Sequence, residues 1–268
     1  MPQQTIDGTR IAYQTMGAPG GPTTVGLHGG GPGCHAAADL AGIIARLPER
    51  RWLLVDLPGY GRSDTLPAHC SVFRGRARLL GGLLDALELN EADIVAPSLG
   101  GSVALALAAE RPAAVRRITL IGSQPIPAPS GTRADFELGA RARDRYYGGT
   151  GPSTQKMRRL LADLEWYEAS AIPEENVRAR YEASVTPTAL AAAGVAPEDL
   201  TDEVSRVCAP TLVLWGRHDP FADAVYADAL AAGLPRGDLV VLGRSAHHPQ
   251  AERPTETAGL VSAFLSGP

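Results

Sequence analysis

The chain has 268 residues, of which 44% are hydrophobic, with a formal net charge of −4 and a pI near 5.9, so it can bury one large core. Its basic residues are scattered, and its three cysteines lie far apart, which argues against a nucleic-acid partner, a disulfide framework and a zinc site. The N-terminus lacks a signal-peptide pattern and no apolar run approaches the ~20 residues that span a bilayer, so we expect a cytoplasmic protein without a membrane partner.

Strand and helix patterns alternate along most of the chain. A hairpin is predicted over residues 5–13, with Asp7-Gly8 as its turn. Continuous apolar runs predict strands at 23–28, 51–57, 93–96, 117–121, 211–215 and 238–242. Helices are predicted around residues 79–87, whose leucines share one face, and over 102–110. This order predicts the α/β class, with a mostly parallel, twisted sheet flanked by helices.

The alternation breaks between about Pro127 and Arg206, where the pattern becomes helical. Prolines open this region and Pro210 closes it. We therefore predict a core formed by residues 1–127 and 206–268, and a helical cap inserted at 128–205. Such a cap would cover the carboxyl edge of the sheet, where ligands of open α/β sheets bind, and would exclude water.

A serine follows the predicted strand at 93–96, in the stretch Pro97-Ser98-Leu99-Gly100-Gly101. A strand that ends at a sharp turn before a helix presents a serine hydroxyl above the sheet, and the glycines allow the close approach that this turn needs. Ser98 is therefore the predicted nucleophile. Ala96 departs from the usual Gly-x-Ser-x-Gly pattern.

A base and an acid are predicted in loops that follow later strands. His247 and His248 come after the strand at 238–242, and imidazole can take and return a proton near neutrality. Asp219 follows the strand at 211–215 and can orient and stabilise the imidazole, with Asp223 as a rival that is expected within the next helix. The order serine, aspartate, histidine is the order expected of this type of fold.

The stretch His28-Gly29-Gly30-Gly31-Pro32-Gly33 predicts one half of an oxyanion hole. Glycines let a backbone N–H approach the developing oxyanion closely. We expect this N–H to come from Gly30 first and Gly31 second, with the other donor at Leu99. A phosphate-binding loop is the rival interpretation, but no Gly-Lys-Ser/Thr follows.

Together these motifs resemble the α/β-hydrolase superfamily over nearly the whole chain. Within it, the triple glycine and the cap stretch at 172–181 are similar to the meta-cleavage product hydrolases, which cleave a carbon–carbon bond in acids formed from ring-opened aromatics. The spacing from His247 to Glu252 and Pro254 in this resemblance selects His247 over His248. The segments that carry the resemblance are 28–33, 56–64, 97–101, 215–219 and 247–254.

The resemblance implies that Arg180 binds a substrate carboxylate, which suits a guanidinium fork. The helical pattern alone leaves Arg178 as an alternative, because the two arginines flank the same apolar stripe, and both could equally be solvated. Trp166 and Tyr167 are expected either to line the pocket or to form the buried core of the cap.

Three positions depart from the pattern of that family. Pro97 stands where the family usually has asparagine, His248 where it has tryptophan, and Asp39 where it has asparagine. Proline cannot donate a hydrogen bond from its backbone. We therefore expect these residues to shape substrate binding in a way that differs from the family.

The sequence thus predicts a serine-dependent hydrolase of a small carbonyl substrate, expected to be carboxylated, with carbon–carbon cleavage as the chemistry implied by the resemblance. Ester, lactone or thioester hydrolysis is the alternative, and a non-hydrolytic biosynthetic reaction such as cyclisation or proton transfer is another. A catalytically inactive binding protein with the same fold is a further alternative. No metal or organic cofactor is implied. The oligomeric state stays open, a homodimer included.

Overall fold

The computed structural model describes residues 1–192 and 198–267, and in these residues eight strands form one sheet. The strand order is β1-β2-β4-β3-β5-β6-β7-β8. The first two strands form the predicted hairpin, β2 runs antiparallel to both of its neighbours β1 and β4, and every later pair is parallel. The predicted mostly parallel sheet is therefore confirmed. The strands are β1 (Gln3–Ile6), β2 (Thr9–Gly17), β3 (Thr23–Gly26), β4 (Arg51–Val55), β5 (Ala92–Pro97), β6 (Val115–Ile121), β7 (Thr211–Gly216) and β8 (Gly237–Leu242).

Helices cover both faces of the sheet and fill the interval between β6 and β7. The central strands β5 and β7 are buried along their whole length, as expected for parallel strands covered on both sides. The helices are α1 (Ala36–Asp39), α2 (Ala41–Ile44), α3 (Arg74–Ala86), α4 (Leu99–Glu110), α5 (Leu138–Tyr147), α6 (Thr154–Leu164), α7 (Glu174–Ser184), α8 (Pro187–Ala191), α9 (Thr201–Arg206), α10 (Ala224–Gly233), α11 (Pro249–Glu252) and α12 (Pro254–Leu265).

The order of the strands places two important loops side by side. The parallel part of the sheet starts near its middle at β3, adds β4 on one side and β5 on the other, and β3 pairs directly with β5. The glycine loop follows β3, and Ser98 follows β5. Both loops therefore leave the carboxyl edge of the sheet at the point where the strand order reverses, which is where ligands of open α/β sheets bind.

The buried side chains form two clusters on the sheet and a third one among α5, α6 and α7. Large apolar residues from α3, α4 and α10 pack on one face, and residues from α1, α2 and α12 pack on the other. The third cluster contains Tyr146, Met157, Leu161, Trp166 and Val177, and it gives the inserted helices an apolar core of their own. Burial of such clusters is the main stabilising contribution to the fold.

Two details differ from the sequence-based prediction. Helix α4 begins at Leu99, directly after Ser98, and not at residue 102, because the turn at Ser98 already sets the helical direction. All but the last residue of helix α9 falls inside the predicted cap range, yet Leu200 and Val204 pack in the main core and the N–H of Leu200 donates to the Pro125 carbonyl. The predicted cap boundary at residue 205 therefore does not coincide with the boundary between the residues that pack in the main core and those that do not. The division into core and cap stays a prediction.

Within the part of the chain that the structure describes, no helix is long and apolar enough to cross a membrane.

Candidate active site

Ser98 sits on a strained turn between β5 and α4. Its backbone has φ 49° and ψ −119°, a conformation that side-chain-bearing residues rarely adopt. The turn is possible because a Cβ on Gly100 would lie only 2.7 Å from the carbonyl oxygen of His28, and one on Gly101 would overlap the Ser123 hydroxyl. The helix can therefore approach the sheet closely only with glycine at these two positions. Strain of this kind is typical of functional sites.

His247 and Asp219 form a buried pair. The Nδ1 atom of His247 lies 2.8 Å from Oδ2 of Asp219, and both side chains are almost completely buried. The other carboxylate oxygen of Asp219 accepts the N–H of Phe221, so its orientation is fixed. This leaves Nε2 of His247 as the ring nitrogen that is available for proton transfer.

Several neighbours hold His247 in place. The ring of Phe221 packs 4.3 Å from the imidazole, measured between ring centroids. Gly122, at the end of β6, has φ 59°, and a Cβ there would lie 2.9 Å from Nδ1 of His247. Glu252 accepts hydrogen bonds from the Ser245 hydroxyl and from the N–H of Ala246, which fixes the loop that carries His247.

Asp223 lies just outside the helix in which it was expected. It precedes the first residue of α10, where its side chain caps the helix by accepting the N–H of Tyr226. Capping is an ordinary structural role for aspartate, so Asp219 is the acid that the structure places next to a histidine.

A cavity of about 160 Å³ opens between the sheet and the inserted helices, and both Ser98 and His247 line it. This is room for a small organic molecule and not only for a single water. Gly30, Gly31 and Leu99 also line it, so the structure brings together the predicted nucleophile, base and oxyanion-hole residues. The walls are largely apolar, and Phe73, Phe136, Leu160, Leu164 and Phe221 contribute to them.

The glycine loop is held by hydrogen bonds on several sides. His28, which is fully buried, has Nδ1 2.7 Å from the Gly29 carbonyl oxygen, and its Nε2 accepts the N–H of Leu57. Oδ2 of Asp39 accepts the N–H of Gly29, and the Tyr60 hydroxyl donates to the Gly30 carbonyl. The peptides that carry the N–H groups of Gly30 and Gly31 are therefore fixed before any substrate arrives. Such preorganisation is what an oxyanion hole requires.

Arg180 is buried and engaged with the protein itself. Its guanidinium makes a bidentate ion pair with Glu165, with N–O distances of 2.8 and 2.9 Å, and it also donates twice to the Pro32 carbonyl. Arg178, by contrast, is exposed on the same helix and lies near Glu182. Of the two arginines, the structure thus places Arg180 inside the protein, beside a small side pocket and not in the lining of the main cavity.

The other predicted substrate-binding residues have different surroundings. Asp39 and Trp166 line the small side pocket, and Trp166 belongs to the apolar cluster of the inserted helices. Tyr167 is exposed and its ring lies 4.5 Å from that of His218, whereas Pro97 is buried at the end of β5. None of these four described residues lines the main cavity. We therefore infer that these four residues influence a bound substrate only through the residues that line the main cavity.

His248 lines the main cavity beside His247, and the two rings stack with centroids 5.2 Å apart. Its Nδ1 lies 2.9 Å from Oε2 of Glu165, and its backbone N–H donates to the Glu165 carbonyl. Burial lowers the pKa of His248, but the adjacent Glu165 carboxylate outweighs burial and the pKa ends above the ordinary value.

Glu165 is a buried, charged cavity residue that the sequence-based prediction missed. It lines the main cavity, it is buried, and it connects Arg180 with His248. A signal for it exists in the sequence. Met157 and Leu161 define one buried face of α6, and Glu165 continues this face four residues later. A carboxylate on an apolar helix face must find a partner inside the protein.

The family model of the α/β hydrolase fold matches residues 23–254. The chain is an α/β hydrolase. It is 31% identical, over 97% of its length and 92% of the relative, to a 2-hydroxy-6-oxononadienedioate/2-hydroxy-6-oxononatrienedioate hydrolase of Burkholderia vietnamiensis. It is 33% identical, over 90% of its length and 85% of the relative, to a 2-hydroxymuconate semialdehyde hydrolase of a Pseudomonas species. This α/β hydrolase therefore has enzymes that act on ring-cleavage products among its relatives.

Solved structures agree with this assignment. A meta-cleavage product hydrolase from Pseudomonas fluorescens in complex with acetates superposes with a TM-score of 0.81 at 27% identity, covering 99% of this chain and 97% of that one. A 2-hydroxy-6-oxo-6-phenylhexa-2,4-dienoate hydrolase from Rhodococcus gives 0.78 at 26% identity, covering 99% and 98%. The predicted superfamily and its resemblance to meta-cleavage product hydrolases are confirmed.

Proposed function

We propose that this α/β hydrolase is a serine-dependent enzyme that cleaves a small carbonyl substrate in the main cavity. One observation carries the proposal: Ser98, on its strained turn, lines the same cavity as His247, whose Nδ1 lies 2.8 Å from the buried carboxylate of Asp219. A nucleophile, a base and an orienting acid in one place are the groups that acyl transfer needs.

In the proposed reaction, Oγ of Ser98 attacks the substrate carbonyl while Nε2 of His247 takes the serine proton. Asp219 holds Nδ1–H and stabilises the imidazolium that forms. His247 then returns the proton to the leaving group, which departs and leaves an acyl-serine. Water, activated by the same imidazole, attacks this ester and releases the acid and free Ser98.

The oxyanion of each tetrahedral intermediate is proposed to bind two backbone N–H groups. Leu99 supplies one from the start of α4, and Gly30 supplies the other, with Gly31 as the alternative. The hydrogen bonds from His28 and Tyr60 to the adjacent carbonyls support this assignment, because they fix these peptides without substrate. The helices α5 and α6 contribute Ala142, Leu160 and Leu164 to the cavity, which supports a lid that excludes water.

Two substrate chemistries are compatible with this site. The names of the relatives favour hydrolysis of a carbon–carbon bond in a ring-cleavage product. The engagement of Arg180 with Glu165 favours an ester, lactone or thioester, because that arginine is the residue implied to bind the carboxylate of a ring-cleavage product. The same serine, histidine and aspartate serve both chemistries.

Turnover of two substrate types by wild-type protein and by Ser98→Ala tests the proposal. We expect wild-type protein to hydrolyse p-nitrophenyl esters or a ring-cleaved dienoate, and Ser98→Ala to lose at least about 10³-fold in kcat. A fluorophosphonate probe should label wild-type protein at Ser98 and leave the variant unlabelled. Unchanged turnover of the preferred substrate by Ser98→Ala would contradict the proposal and favour non-hydrolytic chemistry.

A further inference from the structure

Glu165 occupies the place beside Arg180 where the family resemblance implies that a substrate carboxylate binds. The two carboxylate oxygens of Glu165 face Nη1 and Nη2 of Arg180 at 2.8 and 2.9 Å. This is the geometry with which a guanidinium binds any carboxylate. The protein thus supplies its own anion to this arginine.

Arg180 has little capacity left for a second anion. A guanidinium carries five N–H groups. Two of them donate to Glu165 and two to the Pro32 carbonyl, and Nη1 also lies 3.9 Å from Oδ1 of Asp39. A substrate carboxylate would therefore have to displace Glu165, which would then be left as an unpaired buried charge. Such displacement is strongly unfavourable.

The net charge around Arg180 is also unfavourable for binding an anion. Two carboxylates, Glu165 and Asp39, face one guanidinium here, and His248 is the further basic group in contact with Glu165. The carboxylates therefore cancel the positive charge of Arg180 and His248. An anionic group beside Arg180 would therefore meet no net attraction from these four residues.

Glu165 nevertheless faces the main cavity and keeps an open acceptor site. A carboxylate offers about four lone-pair positions, and Arg180 and His248 together use three of them. A Cβ on Gly31, a residue of the cavity wall, would lie 3.5 Å from Oε1 of Glu165. Because Glu165 itself lines the cavity, this remaining position on Oε1 is the one left to accept a hydrogen bond from a substrate.

We propose that Glu165 is a specificity-determining residue that binds a hydrogen-bond-donating group of the substrate, such as a carboxamide, hydroxyl or ammonium, and excludes a carboxylate from the Arg180 position. This inference rests on the proposed hydrolase function and narrows its substrate class. It departs from the carboxylated substrate that the family resemblance implies. The reason for the difference is the internal ion pair.

Matched substrates test the inference in turnover. The p-nitrophenyl esters of adipic acid, adipamic acid and 6-aminohexanoic acid share a chain and a leaving group but end in a carboxylate, a carboxamide and an ammonium. We expect wild-type protein to favour the carboxamide and the ammonium over the carboxylate by at least about tenfold in kcat/KM. Equal or better turnover of the carboxylate would overturn the inference.

Replacing Glu165 should invert this preference. In Glu165→Ala, the freed Arg180 should lower KM for the carboxylate ester by about tenfold or more, while KM for the carboxamide rises. Glu168→Ala is the matched control, because it removes an exposed carboxylate three residues away that does not line the cavity. Glu165→Gln keeps the shape and removes the charge, so it serves if the alanine variant fails to fold. A purely structural role for Glu165 would slow all three esters alike, and that result also contradicts the inference.

A binding measurement separates this inference from the proposed function. Calorimetric titration of Ser98→Ala with methyl adipamate and with monomethyl adipate reads the same discrimination without any turnover. Tighter binding of the carboxamide supports the inference, and tighter or equal binding of the acid overturns it. If wild-type protein hydrolyses none of the three esters and takes up no fluorophosphonate, the proposed hydrolase function fails, and the titration still decides the role of Glu165.

Discussion

The Nδ1 atom of His28 lies 2.7 Å from the carbonyl oxygen of Gly29, and this contact fixes the peptide that carries the N–H of Gly30. Because Nε2 of His28 accepts the N–H of Leu57 at 2.9 Å, the proton of the neutral ring sits on Nδ1 and is donated to Gly29. Burial lowers the pKa of His28 below its ordinary value, which keeps the ring neutral. The histidine thus acts as a positioning residue for the proposed oxyanion hole.

His28→Gln should weaken this positioning. A glutamine side chain can still accept the N–H of Leu57 but cannot reach the Gly29 carbonyl with the same geometry, so we expect kcat to fall by about ten- to hundredfold with little change in KM. His28→Asn is the control, since its amide can mimic Nδ1 and keep the bond to Gly29. Steady-state kinetics on a p-nitrophenyl ester, together with thermal unfolding of each variant, measures the effect. Equal kcat values for the two variants would show that the hydrogen bond to the Gly29 carbonyl does not contribute to catalysis.

The prediction of the fold from the sequence was correct because its signal was local. Continuous apolar runs located the parallel strands, Ser98 directly follows β5, and Asp219 and His247 lie in the loops that follow β7 and β8. The loops that follow parallel strands meet at the carboxyl edge of the sheet. The strand pattern alone therefore predicts that His247 and Asp219 lie close together. The start of α4 was placed three residues late, because the strained turn at Ser98 leads into the helix at once.

The residues that the sequence did not reveal depend on contacts between distant segments. Arg180 and Glu165 are 15 positions apart, and their pairing requires α6 and α7 to pack side by side. Arg178 and Arg180 look equivalent on a helical wheel, and only the packing against Pro32 and Asp39 separates them. Gly122 likewise looks like an ordinary strand end, although His247 packs directly against it.

Gly122→Ala should disable the site without unfolding the protein. The added Cβ would lie 2.9 Å from Nδ1 of His247, so the imidazole must move away from Asp219. We expect kcat to fall by at least about 10²-fold, the size of effect that a displacement of about 1 Å can produce. Gly149→Ala is the matched control, because Gly149 has a similar φ of 63° and a Cβ added there would point into open space.

Both alanine variants place a side chain in a left-handed conformation, at a cost of about 1 kcal/mol in the free energy of unfolding. The loss of kcat should therefore appear in Gly122→Ala alone. Similar kcat losses in the two variants would contradict the view that Gly122 makes room for His247.

Ser98→Gly should relieve the backbone strain at the nucleophile. Glycine tolerates φ 49° and ψ −119°, whereas alanine does not, so Ser98→Gly should unfold with a free energy about 1 kcal/mol higher than Ser98→Ala. The matched control is the pair Ser102→Gly and Ser102→Ala, at a buried position inside α4. There the glycine variant should be less stable by about 1 kcal/mol. Denaturant unfolding of all four variants gives the comparison, and the same order at both positions would refute stored strain at Ser98.

The Glu165 network should leave a signature in the dependence of stability on pH. Burial raises the pKa of Glu165, but the charges of Arg180 and His248 lower it by more, so the pKa lies below the ordinary value of 4.5. The folded protein then takes up this proton at lower pH than the unfolded chain. The stabilising contribution of Glu165 is therefore present above about pH 4.5 and is lost as the pH falls.

His248 acts in the opposite direction. Its pKa is raised above 6.5, so its contribution is present below that pH and is lost as the pH rises through the folded-state pKa. Glu165 and His248 together therefore contribute most to the free energy of unfolding between about pH 4.5 and 6.5. Glu165→Gln removes one titrating group and the anion that charges the other, so it should reduce both slopes.

We therefore expect the difference in unfolding free energy between wild-type protein and Glu165→Gln to peak at about 3 kcal/mol near pH 5.5, because removing one partner of a buried ion pair leaves the other uncompensated. Urea unfolding from pH 4 to pH 8 measures this difference. Glu168→Gln, which removes an exposed carboxylate outside the network, is the control and should follow the wild-type curve. If the difference in unfolding free energy between wild-type protein and Glu165→Gln is flat across this range, the expected coupling between Glu165 and His248 is contradicted, because the ion pair with Arg180 alone does not change above about pH 4.5.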